Sequence, residues 1–355
     1  MPVSGAFTLY LQTFFQIYDL LLYDIKYKPG EGLFMKKLVS IILAAAALLY
    51  CTVCLTGCLP SSYSQYRKGP AMWVVEDGDG HRCYLFGSQH VNASADVFPF
   101  ADVIEDAFSY CDSIAVEYDI IAEEKRQQAF TEEELSEYEA QYTYADGTTV
   151  SDHISEAVYR RAVARIDQTI KLGGNADGYT GEYDKFMPAI WYSVLESIST
   201  YEAGYSTEYG VDRYFINKAY ETGKTVLEVE SDAAQLSMLL EIDDCVYEYM
   251  MKSLLDNPSG LAYMDLIYQS GEMSTLSRAI AAGRAEKYSD AALDAGMREY
   301  DELMYVKRNA LMADAVMKYL AEGRRTFFVV GCAHMLCDDG IVSILLNNGY
   351  KVYRK

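Results

Sequence analysis

Two short segments carry the residue types and spacing that could do chemistry. Tyr84-Leu85-Phe86-Gly87-Ser88-Gln89-His90 and Phe327-Phe328-Val329-Val330-Gly331-Cys332-Ala333-His334 share one order: an apolar run, a glycine, two residues, a histidine. The glycine lets the chain turn sharply off a strand end, and the histidine then stands above the sheet edge, where α/β folds place their ligands. One Gly-x-x-His is common by chance, but two copies 244 residues apart, both at strand ends, are a stronger signal. Two further apolar runs end in acids, Glu117 and Glu230. Two imidazoles and two carboxylates on one edge form a ligand set for a divalent metal. Read without that chemistry, the acids cap loops or pair with Arg308, and each histidine is a satisfied core or surface residue. His81, in a turn, and His153, on an acidic helix start, are read as incidental.

The elements that must position these groups follow from periodicity. Residues 72–76 and 82–86 alternate around Asp77-Gly78-Asp79-Gly80, which predicts a hairpin. Residues 99–110 have helical spacing, and 113–118 read as a buried strand ending in an acid. From about 120 to 222 the pattern is mostly helical and acidic, interrupted at Asp146-Gly147 and Gly173-Gly174-Asn175, and reads as a helical insertion or cap. Gly223 stops a helix over 211–222, and 225–230 is again a strand. Helices resume from 232 to about 322, broken near Pro258-Ser259-Gly260; a buried strand at 326–330, a helix at 338–348 and a closing strand at 350–354 follow. The expected fold class is α/β (α+β): a mixed central β-sheet with surrounding helices and a large helical insertion, in one domain over 72–355 without a solenoid repeat.

Met35-Lys36-Lys37 followed by the apolar run 38–55 has the layout of a signal peptide. Leu55-Thr56-Gly57-Cys58 resembles the lipobox of bacterial lipoproteins, which implies cleavage before Cys58, a lipid on its thiol, and a polar tether over 58–71. An uncleaved membrane helix is the alternative, because the run reaches the lower length limit for a span. Residues 1–34 precede the basic head and fit neither signal nor domain, so they are expected to be an extension ahead of the true start at Met35. The chain has 52 acidic and 30 basic residues, net −22. That balance argues against a nucleic-acid partner, which needs a basic face. Cys83, Cys111, Cys245, Cys332 and Cys337 are odd in number and irregularly spaced; Cys83 and Cys111 sit in apolar patterns as small core residues.

The order of blocks resembles the TraB/GumN family, which includes the Tiki proteins, over nearly everything after residue 72. The resemblance rests on 84–91 with Phe98-Pro99-Phe100-Ala101-Asp102 and Ile114-Ala115-Val116-Glu117; on Lys185-Phe186-Met187-Pro188-Ala189-Ile190-Trp191; and on Tyr209-Gly210-Val211-Asp212 through Val229-Glu230-Ser231. It continues in Arg308-Asn309, then Val330 to Leu336 with Asp338-Asp339-Gly340. Cys337 stands where the family usually has Gly. Some Tiki-like members resemble divalent-metal-dependent proteases, others are linked to control of peptide pheromones, and a more distant likeness to erythromycin esterases and a haem-binding lipoprotein divides between hydrolysis and binding.

The expectation is a lipid-anchored protein on the extracytoplasmic face of the cell membrane, a divalent-metal-dependent hydrolase (Mn, Co or Zn) acting on a peptide or protein. His90 and His334 bind the metal with Glu117 or Glu230, and the other carboxylate serves as base. Arg308 and Asn309 hold an oxyanion or carbonyl, or else cap a helix and make an ion pair. The alternative function is a non-catalytic surface protein that sequesters a peptide or metal-bearing ligand. Mass spectrometry of the native protein is expected to yield no peptide from residues 1–34; one such peptide refutes the start at Met35.

Overall fold

Runs rich in β-branched and aromatic residues build a six-stranded sheet. The computed structural model describes residues 71–175, 177–257, 265 and 267–355, so Cys58, the signal-type run, the N-terminal extension and the break expected at Pro258-Ser259-Gly260 lie outside the described residues. The strands are β1 (Met72–Glu76), β2 (Arg82–Ser88), β3 (Ser113–Val116), β4 (Thr225–Glu228), β5 (Thr326–Gly331) and β6 (Lys351–Arg354), in the order β4-β3-β5-β2-β1-β6. β4, β3, β5 and β2 are parallel neighbours, with Val116 opposite both Glu228 and Val329, and Phe86 opposite Val329. β1 runs antiparallel to β2 and to β6. The fold is thus α/β with a mixed sheet, and the C-terminal ends of four parallel strands open on one edge.

Both faces of the sheet are covered, which is why β5 reads as an unbroken apolar run. On one face Phe86, Val116, Phe327 and Val329 pack against α1 (Asp102–Tyr110) and α7 (Val211–Thr222). On the other, Leu85, Ala115, Phe328 and Val330 face the larger helical layer. The insertion expected between β3 and β4 is helical: α2 (Ile120–Gln127), whose Ile120 and Ile121 join the α1 and α7 face, is followed by α3 (Glu132–Ala140), α4 (Val150–His153), α5 (Glu156–Leu172) and α6 (Pro188–Glu202) in the larger layer, before α7. After β4 come α8 (Asp232–Glu241), α9 (Asp244–Asp256), α10 (Met273–Arg284) and α11 (Ala291–Asp301). A π-helical segment, Glu302–Lys307, leads into α12 (Arg308–Ala321), and α13 (Cys332–Met335) and α14 (Ile341–Asn347) flank the turn after β5.

Local chemistry sets several boundaries. Gly223 ends α7 with φ +68°, the left-handed cap that glycine permits. Two strands are shorter than expected, β3 stopping at Val116 and β4 at Glu228. The ladder nevertheless runs on, because Val229 N–H donates to the Val116 carbonyl at 3.0 Å and Glu230 N–H to that of Glu117 at 2.8 Å. α1 begins at Asp102 rather than 99, and α14 at Ile341 rather than 338, since residues 338–340 form a turn. His153 ends the four-residue α4 and pairs with Asp244, whereas a helix start was expected. Cys337 has φ +71°, in the left-handed region that favours glycine, a physical reason for glycine at this position in the family it resembles. The five described cysteines are unbridged. No helix among the described residues is long and apolar enough to cross a membrane.

Phe327 is fully buried, with ring centroids of Phe215, Phe108 and Phe86 at 4.8, 5.7 and 5.9 Å. Phe327→Ala should lower the free energy of unfolding by about 3–5 kcal/mol, read from urea denaturation, because aromatic-to-alanine changes leave a cavity as well as removing buried area.

Candidate functional site

The four parallel strand ends bring Glu117, Glu230 and the two Gly-x-x-His turns to one edge. The continued β3–β4 ladder sets Glu117 beside Glu230 on adjacent chain segments. Between them lies Arg308, the first residue of α12, delivered by the π-helical turn that precedes it. Such wide turns recur at functional sites because they rotate the next side chains out of α-helical register. Arg308 Nη2 donates to Glu117 Oε2 at 2.6 Å and to Glu230 Oε2 at 2.7 Å, and its Nε donates to Glu230 Oε1 at 2.9 Å. Glu117 Oε1 accepts the Gly331 N–H at 2.8 Å, and Gln235 on α8 donates to Glu230 Oε2 at 2.5 Å. All these side chains are buried.

Charge pairing outweighs desolvation here. Burial, the largest single influence on Glu117, pushes its carboxyl up, yet Arg308, with His334 and His90, holds it well below the usual carboxylate range. The same pairing raises the Arg308 guanidinium against the burial that lowers it. The triad thus sets two carboxyl groups against one guanidinium, with Glu117 held ionised.

Both histidines are held by Nδ1. His90 Nδ1 lies 2.8 Å from Asp212 Oδ2, in the first turn of α7. Its loop is strapped to the chain before α7: Val211 N–H donates to the Gln89 carbonyl, and Asn92 and Ser206 exchange backbone bonds of 3.2 and 2.9 Å. Gly210 is required at this crossing, since a Cβ there would stand 2.6 Å from the His90 carbonyl oxygen. His334 Nδ1 lies 2.7 Å from Asn309 Oδ1, while Asn309 Nδ2 donates to the Asp339 carbonyl at 3.0 Å. That second bond orients the amide, so Nδ1 of His334 is the donor and Nε2 keeps its lone pair. The carboxylate of Asp212 imposes the same tautomer on neutral His90. Burial lowers the His90 imidazole, but Asp212 more than offsets this and its pKa is raised. His334 is driven by burial, then by Arg308, down to about 3, and is neutral at pH 7.

Gly331 is the hub of the arrangement. A Cβ built on it would lie 3.3 Å from His90 Nε2, 3.4 Å from Glu117 Oε1 and 3.4 Å from His334 Cδ2. This cradle brings His90 Nε2, one oxygen of Glu117 and the edge of the His334 ring to one place, residue types that can serve a divalent cation although their ligand atoms do not all lie within 4.8 Å of one another, and Asp212 and Asn309 supply outer hydrogen bonds to the imidazoles. Among the described residues, the three donor atoms within 4.8 Å of one another belong instead to Asp77, Asp79 and His81 in the β1–β2 turn. There His81 Nδ1 is bonded to Asp77 at 2.8 Å, an ordinary turn contact.

Arg308 and Asn309, expected as donors to an oxyanion, are engaged otherwise. Arg308 makes the ion pair weighed as its alternative role, and Asn309 orients His334. Sequence reasoning assigned no role to Asp212, Gln235 or Ser88. Asp212 reads in sequence as a routine first-turn acid, and Gln235 gives no local signal at all.

Parallel strand ends that gather two histidines, two glutamates and an arginine define an α/β protein with its site in the edge crevice. The sequence model of the TraB/PrgY/gumN family matches residues 71–354, and the chain belongs to that family. Searches of curated proteins and of solved structures found no match.

Replacing Arg308 by Met should cost about 3–5 kcal/mol at pH 7, because it leaves buried carboxylates without their partner. Glu117 has a depressed folded pKa, so its contribution is full above the unfolded value of about 4.3 and is lost as pH falls below it. In Arg308→Met burial raises that carboxyl instead, and the stability gap to the unaltered chain should narrow from pH 7 to pH 4 in urea titrations; a constant gap would refute the pairing argument.

Proposed function

We propose that the chain is a surface lipoprotein, anchored through Cys58 on the extracytoplasmic face, that hydrolyses peptides with a divalent metal (Mn, Co or Zn). The observation that carries this reading is the cradle at Gly331, where His90 Nε2, Glu117 Oε1 and the His334 ring face one point. His90, His334 and Glu117 would hold the cation, which supplies Lewis acidity towards a carbonyl and lowers the pKa of water towards about 7.

The chain's own residues have separable tasks. Asp212 and Asn309 hold the imidazoles by Nδ1, which leaves Nε2 of each as the nitrogen open to a ligand. Arg308 keeps Glu117 ionised, which suits a ligand better than a proton acceptor, since a strongly depressed pKa makes a weak base. Glu230 holds Arg308 from the other side, and as the second carboxylate it is the candidate to receive a proton. The helical insertion of α2 to α6 is the region available to recognise substrate.

One observation favours the second reading, a binder without turnover: both glutamates are engaged by Arg308, so neither stands apart as a base. Elemental mass spectrometry of the purified chain should find near-stoichiometric Mn, Co or Zn, reduced at least tenfold in His90→Ala and His334→Ala variants that remain folded. A chain that neither carries nor takes up these metals refutes the metal reading. With metal present, consumption of excess peptide from a library supports the hydrolase, and saturation at one equivalent supports the binder.

A further inference from the structure

The crevice at the strand ends contains a buried hydroxyl, that of Ser88, with no task in this scheme. It has a volume of about 10 Å³, room for about one water molecule, and Ser88, His90, Val116, Glu117, Asp212 and Val329 are among its walls. Ser88 is only 3 % exposed, and its Oγ has no hydrogen-bond partner among the described residues. A buried hydroxyl is destabilising unless something satisfies it. Other polar groups there are engaged: His90 with Asp212, Glu117 with Arg308 and the Gly331 N–H, and Tyr118 has interactions of its own.

The sheet aims this hydroxyl. Ser88 is opposite Gly331 in the parallel β2–β5 ladder, so the two present their side-chain positions to the same face. At Gly331 that position carries no side chain, and the space beside Ser88 is bounded by His90 Nε2 and Glu117 Oε1. Phe86 and Val329, two residues earlier on each strand, mark the same face by their packing against α7.

We propose that Ser88 is the water-holding residue of the site: its Oγ accepts one O–H of the single water that the crevice admits, with His90 and Glu117 on the other sides. A hydroxyl suits this task because its rotor lets it accept or donate as the neighbouring charges require. The contact stands on geometry alone, whereas the reactivity of that water rests on the hydrolase reading.

The full chain is compared with Ser88→Ala, which deletes only the hydroxyl, by thermal melting, by Zn²⁺ content and by kcat and KM on an internally quenched peptide library. The expected result is a melting temperature lower by about 2–4 °C, the shift of one lost hydrogen bond in a domain this size. Zn²⁺ content should be unchanged, and kcat should fall about 10–100-fold with KM within twofold, the mark of a misplaced reactant. A higher melting temperature in Ser88→Ala means that the hydroxyl was buried with nothing to bind, and overturns the proposal. Equal kcat in an active wild type overturns the reactive role. If the unaltered chain neither binds Zn²⁺ nor cleaves peptide, the hydrolase reading fails by itself, and the sign of the melting shift still decides whether Ser88 holds a water.

Discussion

A single buried guanidinium sets the terms for this molecule. Arg308 lies between Glu117 and Glu230, and ions so far from water are sustained only when their charges and hydrogen-bonding atoms are matched. The match is met here by Arg308 itself, the Gly331 N–H and the Gln235 amide, drawn from α12, β5 and α8. Each of those elements must therefore reach its place for the others to be tolerated. The pairing sets two carboxyl groups against one guanidinium at the strand ends, with the Asp212 carboxyl nearby. An excess of carboxyl groups next to imidazole nitrogens favours a cation or a proton, which is the common electrostatic ground of both functional readings.

The outer contacts give this charge a direction. Arg284, on α10, donates to Asp339 at 2.8 Å and to Asp301 at 2.9 Å, the Asp339 carbonyl accepts from Asn309, and Asn309 orients His334. On the opposite side Asp212 orients His90, and its helix is tied to the His90 loop by backbone bonds. The two imidazoles are thus held by unrelated parts of the helical shell. Side chains fixed this way lose little entropy on binding a ligand, an advantage that hydrogen-bonded outer residues confer on ligand sites generally.

The family places this site on a common scaffold, but a scaffold does not select a substrate. The sheet edge offers a small crevice, and what approaches it is decided by the helices inserted between β3 and β4 and those that follow β4. Those helices also hold the strand-end groups in place, through Asp212 on α7, Gln235 on α8 and Arg308 and Asn309 on α12.

The amino-acid pattern alone specified the strands and the candidates at their ends. Period-two and continuous apolar runs specify β2, β3 and β5, and Gly-x-x-His and strand-terminal acids are visible as letters, since both depend on bonds between near neighbours in the chain. It also carried the glycine at position 331, though not the reason for it. Tertiary structure alone decided that Arg308, 78 residues after Glu230 and 191 after Glu117, holds both carboxylates, and that Asp212 and Asn309 set the tautomers of the two histidines. These contacts join segments far apart in sequence, and such pairings leave no local periodicity or spacing to read. The strands' side-by-side placement creates them, and that placement follows from burying both faces of one sheet.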